Sequence, residues 1–68
     1  MVDVNKLKGA IARAGYTQET LAKKMDMSVN TLNAKVNAKA KITTDEALNM
    51  CGILGIEDDS EKIEIFLA

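Results

Sequence analysis

Histidine and proline are absent from the 68 residues, and there is a single cysteine, Cys51. One cysteine excludes an internal disulfide framework. With no histidine, and with acids that are scattered rather than clustered, no metal site is visible. No serine or cysteine is paired to a base, and no glycine-rich loop could cradle a phosphate. The expectation is therefore neither an enzyme nor a cofactor or small-molecule binder. No apolar run approaches the ~18 residues of a membrane span, and the amino terminus lacks a signal-peptide core. Residues 1–68 read as one small domain of the cytoplasm with no membrane contact, expected to be held by helix packing with help from a partner subunit.

The net charge is −1, which by itself disfavours a polyanionic partner. Its distribution does not. Residues 1–41 hold eight cations against Asp3, Glu19 and Asp26, a balance of +5; residues 42–68 hold Lys62 against seven acids, a balance of −6. Local field rather than net charge decides whether a polyanion binds, so the basic half is the place to look. A solvated, mixed-charge surface is the plain alternative.

What the chain does have is a repeated helix-start signal. An apolar residue, a capping residue and an apolar or small residue four beyond the cap recur as Val2-Asp3…Leu7, Tyr16-Thr17…Leu21, Met27-Ser28…Leu32 and Ile42-Thr43…Ala47. Asp, Thr and Ser accept hydrogen bonds from first-turn amides, and the flanking apolar pair staples the entry angle. Thr43 has Glu46 at the capping-box position, and Asp58, with Glu61 three residues on, marks a fifth start. Gly15 and Gly55 read as stops. The pattern predicts an all-α chain with helices at about 4–14, 18–25, 29–36, 44–54 and 59–66. The first buries Leu7, Ile11 and Ala14, the fourth Ala47, Met50, Cys51 and Leu54. Cys51 then reads as a small core residue rather than a reactive thiol.

The last stretch supports two readings. Ile63, Phe66 and Leu67 share a helical face, yet Ile63, Ile65 and Leu67 alternate as a strand would; the cap at Asp58 favours a short helix. Four apolar residues in the last six must pack on the core, on a second copy, or on both. Ile63, Ile65, Phe66 and Leu67 are accordingly the candidates for a homodimer interface within residues 57–68.

Residues 17–36 read as helix, tight turn, helix, the unit that can present its second helix to the DNA major groove. The order Gln-x-x-Leu-Ala-x-x-Met-Asp-Met-Ser-x-x-Thr-Leu at 18–32, preceded by Gly-Tyr-Thr, resembles the lambda repressor/Cro-like (XRE) helix-turn-helix family, of which phage and prophage regulators are typical. The resemblance covers residues 4 to about 56, with Asn37, Lys39 and Leu54-Gly55-Ile56 fitting its compact five-helix domain. Three positions depart from it. Asp26 stands in the turn and Ala38 in the following loop, where glycine is usual, so that loop is expected to be shaped differently; Lys35 stands where an apolar residue is common, with Val36 filling the core instead.

The resemblance implies that the first turns of the third helix face base edges, here through Val29, Asn30, Asn33 and Ala34. Asparagine can contact adenine bidentately and Val or Ala can pack on a thymine methyl, so A·T-leaning readout follows. It also implies that Gln18 contacts phosphate, with Thr17 and Ser28 offering amides nearby and Lys35, Asn37, Lys39 and Lys41 flanking the backbone. A plain solvated face is the alternative for each. The function implied is a small homodimeric regulator of phage or mobile-element type that binds double-stranded DNA at a palindromic operator, as repressor or Cro-like protein. An antitoxin-like or anti-repressor module that binds protein on the same fold is the competing reading.

Overall fold

A computed structural model describes residues 1–68 as five α-helices and no strand: α1 (Val4–Arg13), α2 (Gln18–Lys24), α3 (Val29–Val36), α4 (Thr44–Leu54) and α5 (Asp59–Phe66). Every start is capped as its residue type requires. Asp3, Thr17, Ser28 and Thr43 each accept from the backbone amide three residues on, and Thr17–Thr20 and Thr43–Glu46 close reciprocal capping boxes. The apolar residues that precede these four caps, Val2, Tyr16, Met27 and Ile42, all pack on the core. Asp58 also caps, but it accepts from the Ser60 amide; Glu61 turns away to Arg13, so no box forms there.

Four of the five helices end in one way. A residue with positive φ follows each: Gly15 (83°), Asp26 (55°), Ala38 (61°) and Gly55 (71°). The next amide then reaches back five residues, from Tyr16 to Ile11, Met27 to Ala22, Lys39 to Ala34 and Ile56 to Cys51, at 2.8–3.1 Å. This is the Schellman closure, which satisfies carbonyls the helix end would orphan. The loop after α3 is therefore not reshaped by Ala38. It keeps the glycine-like backbone and carries the strain, because the closing bonds over-determine it.

The core consists of 13 buried residues, all apolar, with no buried polar group left unpartnered. Leu7, Leu21, Leu32, Val36 and Met50 are fully enclosed. Ala10 replaces Ala14 as the sealed small residue of α1, and Ala47 of α4 is half-buried. The tail is a helix rather than a strand, and this corrects one expected interface residue. At about 100° per residue, Ile65 points opposite to Ile63 and Leu67. Ile65 is 2% exposed and belongs to this chain's own core, whereas Ile63 and Leu67 are 54% and 71% exposed. The pairings Asp3 N–H to the Ile65 carbonyl (2.7 Å), Lys6 to Glu64 (3.7 Å) and Arg13 to Glu61 (3.1 Å) lay α5 antiparallel along α1. No helix is long and apolar enough to cross a membrane.

Candidate nucleic-acid interface

The α2–α3 unit buries Leu21, Ala22 and Met25 from one helix against Leu32 and Val36 from the other. Ala22, 2% exposed, is the small residue that lets the two approach. With Leu32 and Val36 turned inward, α3 presents Val29, Asn30, Thr31 and Asn33 to solvent, with Ala34 half-buried beside them. Val29 is 41% exposed, a large apolar side chain standing alone on a polar face.

Side-chain hydrogen bonds organise this face. Asn33 Nδ2 donates to Gln18 Oε1 at 2.8 Å, which ties the first residue of α2 to the middle of α3. Asn33 keeps its Oδ1 and a second N–H, the two groups a bidentate contact to adenine needs, and Gln18 keeps its Nε2 donors. Asn30 has no intramolecular side-chain partner and is wholly available. Thr17 and Ser28 hydroxyls are occupied by their caps, Ser28 donating to Thr31 Oγ1 at 2.9 Å. Asn37 folds its side chain back onto the Asn33 carbonyl at 2.9 Å, so it finishes α3 rather than extending from the loop.

Lys35 is placed differently from a surface lysine. Its Nζ donates to the Lys41 carbonyl at 2.9 Å and to Glu46 Oε1 at 3.0 Å, and its side chain is only 14% exposed. The same Glu46 oxygen accepts from the Thr43 amide at 2.9 Å. That backbone bond, followed by the one from Lys35, holds the Glu46 carboxyl below its ordinary value, against the opposing pull of burial. Lys35 and Glu46 thus clamp both ends of the loop that carries Lys39 and Lys41. Sequence reasoning found the Glu46 cap but not this ion pair, since nothing in the spacing of 35 and 46 signals a contact across a loop.

Three cations of the basic half, Lys6, Arg13 and Lys35, are matched by Glu64, Glu61 and Glu46 from the acidic half. Counting those three carboxylates reduces the +5 of residues 1–41 to +2. Lys8, Lys23, Lys24, Lys39 and Lys41 have no carboxylate within 4 Å. Lys39 and Lys41 stand exposed just beyond α3. Lys8 shares a small cleft with Tyr16, Thr17 and Gln18, which places a cation beside the start of α2; it was missed because it lies on α1, outside the helix-turn-helix. Burial pushes the Cys51 thiol up, in keeping with a core position, and no group of three His, Cys, Asp or Glu side chains converges to hold a metal.

A family model described as helix-turn-helix matches residues 7–59, which takes in α1 from Leu7 onward, α2 to α4, the loop with Lys39 and Lys41, and the first residue of α5. No curated protein and no solved structure matches the chain.

Proposed function

The chain belongs to the helix-turn-helix family, and on that premise we propose that it is a sequence-specific transcriptional regulator of the repressor or Cro-like kind, of phage or mobile-element origin. α3 enters the major groove, and two copies read the half-sites of a palindromic operator. The observation that carries this is the outward face of α3, where Asn30 is unengaged and Asn33 is braced by Gln18 at 2.8 Å. A side chain held by a second residue loses less freedom on binding than a free one. Asn30 and Asn33 read adenine, and Val29 and Ala34 pack on thymine methyls. Gln18, Lys8, Lys39 and Lys41 contact phosphate, with the amides near Thr17, Ser28 and Asn37 alongside. Lys35 acts from behind by holding the loop.

Selection of bound sites from a random DNA pool, followed by titration at several salt concentrations, tests this reading. Asn30→Ala weakens binding to the selected site by roughly 5- to 150-fold, from ~1–3 kcal/mol per base contact, and relaxes preference at one position. Lys39→Ala weakens selected and random DNA alike and lowers the salt slope by about 1. Wild-type indifference between selected and random DNA defeats the regulator reading; variants that bind like wild type defeat the residue assignment. The residual charge of only +2 in the basic half supports the competing reading, a protein-binding antitoxin-like or anti-repressor module, and DNA indifference would favour it.

A further inference from the structure

An apolar groove of about 610 Å³ runs between the loop after α3, α4 and the end of α5. Its lining grades from Cys51, 5% exposed, through half-buried Ala47 and Phe66, to Leu48, Ile63 and Leu67 at 59%, 54% and 71%. Its charged lining consists of Lys35, Lys39, Lys41 and Lys62, with no carboxylate among the lining residues. Lys35 is matched by Glu46 at 3.0 Å and Lys62 by Asp59 at 3.9 Å, but Lys39 and Lys41 have no carboxylate within 4 Å. A cleft of this volume, mostly apolar with a few polar groups of one kind, has the size and make-up of a small-ligand site. No local pattern in the sequence signals it, since its walls come from separated stretches of chain.

We propose that this groove binds a small carboxylate amphiphile of the fatty-acid class, its hydrocarbon tail on the apolar lining and its carboxylate on Lys39 and Lys41, and that the ligand competes with DNA for those two ammonium groups. The competition rests on the DNA-binding reading above; the site itself does not. Charge complementarity selects the occupant. Covering the apolar walls favours a hydrocarbon body, and the unmatched ammonium groups favour an anionic head. A cationic amphiphile gains the first term and forfeits the second. The surroundings favour one compact head over an extended acidic surface. Residues 42–68 carry a balance of −6, with Glu57, Asp58, Asp59, Glu61 and Glu64 on or just before α5. An acidic protein helix laid across the groove brings further carboxylates against those acids, whereas a single carboxylate meets only lysines. Lys39 and Lys41 also follow the recognition helix. A carboxylate seated on them takes up the charge that phosphate would meet, so ligand and DNA each weaken the other.

Amide chemical shifts of the isotope-labelled whole chain, titrated without DNA with sodium decanoate and separately with decyltrimethylammonium, each below its micelle concentration, test the site. Decanoate shifts the amides of Ile42, Leu48, Ile63 and Leu67 to saturation and binds at least about tenfold more tightly than the cationic amphiphile, as hydrogen bonds to a charged head require. Octanoate binds roughly tenfold more weakly than decanoate, as two fewer buried methylenes require. Lys39→Gln with Lys41→Gln weakens decanoate at least about tenfold and does not weaken the cationic amphiphile. Leu48→Asp, at an exposed position, keeps the dispersed spectrum of a folded chain and loses the saturable shifts. Saturating decanoate weakens wild-type binding to the selected DNA at least about fivefold, and Leu48→Asp removes that effect. Equal binding of the two head groups, decanoate binding that survives either variant, or no saturable shift at these residues overturns the site. Shifts of the same amides on diluting the ligand-free chain would give the groove to a second copy, and shifts with an acidic amphipathic peptide but not with decanoate would give it to a protein partner; either overturns the proposal. A chain that binds decanoate and DNA without interference refutes the competition, and one that binds decanoate as described but ignores DNA refutes the regulator reading alone.

Discussion

The helix-turn-helix and the carboxy-terminal segment are both built from short helices, yet they spend their apolar residues in opposite ways. In α2 and α3 the large apolar residues are sealed almost without exception: Leu21, Leu32 and Val36 are fully enclosed and Met25 nearly so, leaving Val29 outside. In α5 and its cap only Ile65 is sealed, Phe66 is half-buried, and Ile63 and Leu67 face water. A helix that has buried its apolar side and shows amides and hydroxyls outward is suited to a polar partner. A helix that still shows Ile and Leu outward is suited to an apolar one. One domain thus presents two kinds of face, and Lys39 and Lys41 lie where they meet.

The largest effect available breaks that comparison inside α5 itself. Ile65→Ala removes a fully packed side chain and destabilises the fold by about 2–5 kcal/mol. Leu67→Ala, two positions away, shifts it by less than about 0.5 kcal/mol at protein concentrations too low for pairing. Denaturant unfolding of both variants, read by circular dichroism, checks this. Similar losses for the two would mean that the face of α5 turned to the core is misassigned.

These residues also mark how far the fold was legible. The caps, staples and glycine stops are local, each decided by four or five neighbouring residues, and the helix boundaries followed to within one residue. The inward face of α5 is not local. Ile63, Ile65 and Leu67 are equally apolar, and only the antiparallel seat of α5 on α1, set by contacts such as Lys6–Glu64 and Arg13–Glu61, decides which one is enclosed. The candidate site divides likewise. The outward positions of α3 follow from helical periodicity, whereas the Gln18–Asn33 brace and the Lys35–Glu46 clamp join residues 15 and 11 apart, where spacing carries no signal.

A second, smaller effect concerns the two helix ends that bracket the recognition unit. Asp26 and Ala38 adopt φ of 55° and 61° without being glycine. Left-handed backbone costs an ordinary L-residue roughly 1–2 kcal/mol, partly offset by the greater chain entropy that glycine loses on folding. Ala38→Gly therefore stabilises the fold by about 0.5–1 kcal/mol, and Asp26→Gly by less, since aspartate tolerates this conformation better. Thermal unfolding reads both as a rise in Tm. A fall in Tm for Ala38→Gly would show that the loop is not held by the closure seen between Lys39 and Ala34.

The smallest effect separates the clamp from the surface it supports. Glu46 accepts from the Thr43 amide and from Lys35, and these bonds hold its carboxyl below the ordinary value of about 4.5. A carboxyl depressed in the folded chain stabilises the fold at pH values above its unfolded pKa, and that contribution is lost as the pH falls through the folded value. Wild type accordingly loses stability on acidification from about pH 5 downward, where unfolded glutamate begins to protonate. Glu46→Gln lacks this component: it is less stable than wild type at neutral pH by about 0.2–0.5 kcal/mol, the low end for a partly exposed ion pair, and the gap narrows toward pH 3. Urea unfolding across that interval measures the gap directly. A gap that stays constant with pH would mean that Glu46 contributes only its neutral cap, and Lys35 would then be free to swing outward to phosphate. A narrowing gap, joined by weaker DNA binding of Glu46→Gln at neutral pH, is the pairing expected if the clamp positions Lys39 and Lys41. Glu46 itself carries the wrong charge to touch DNA, so any DNA defect in that variant must arise through the loop it holds.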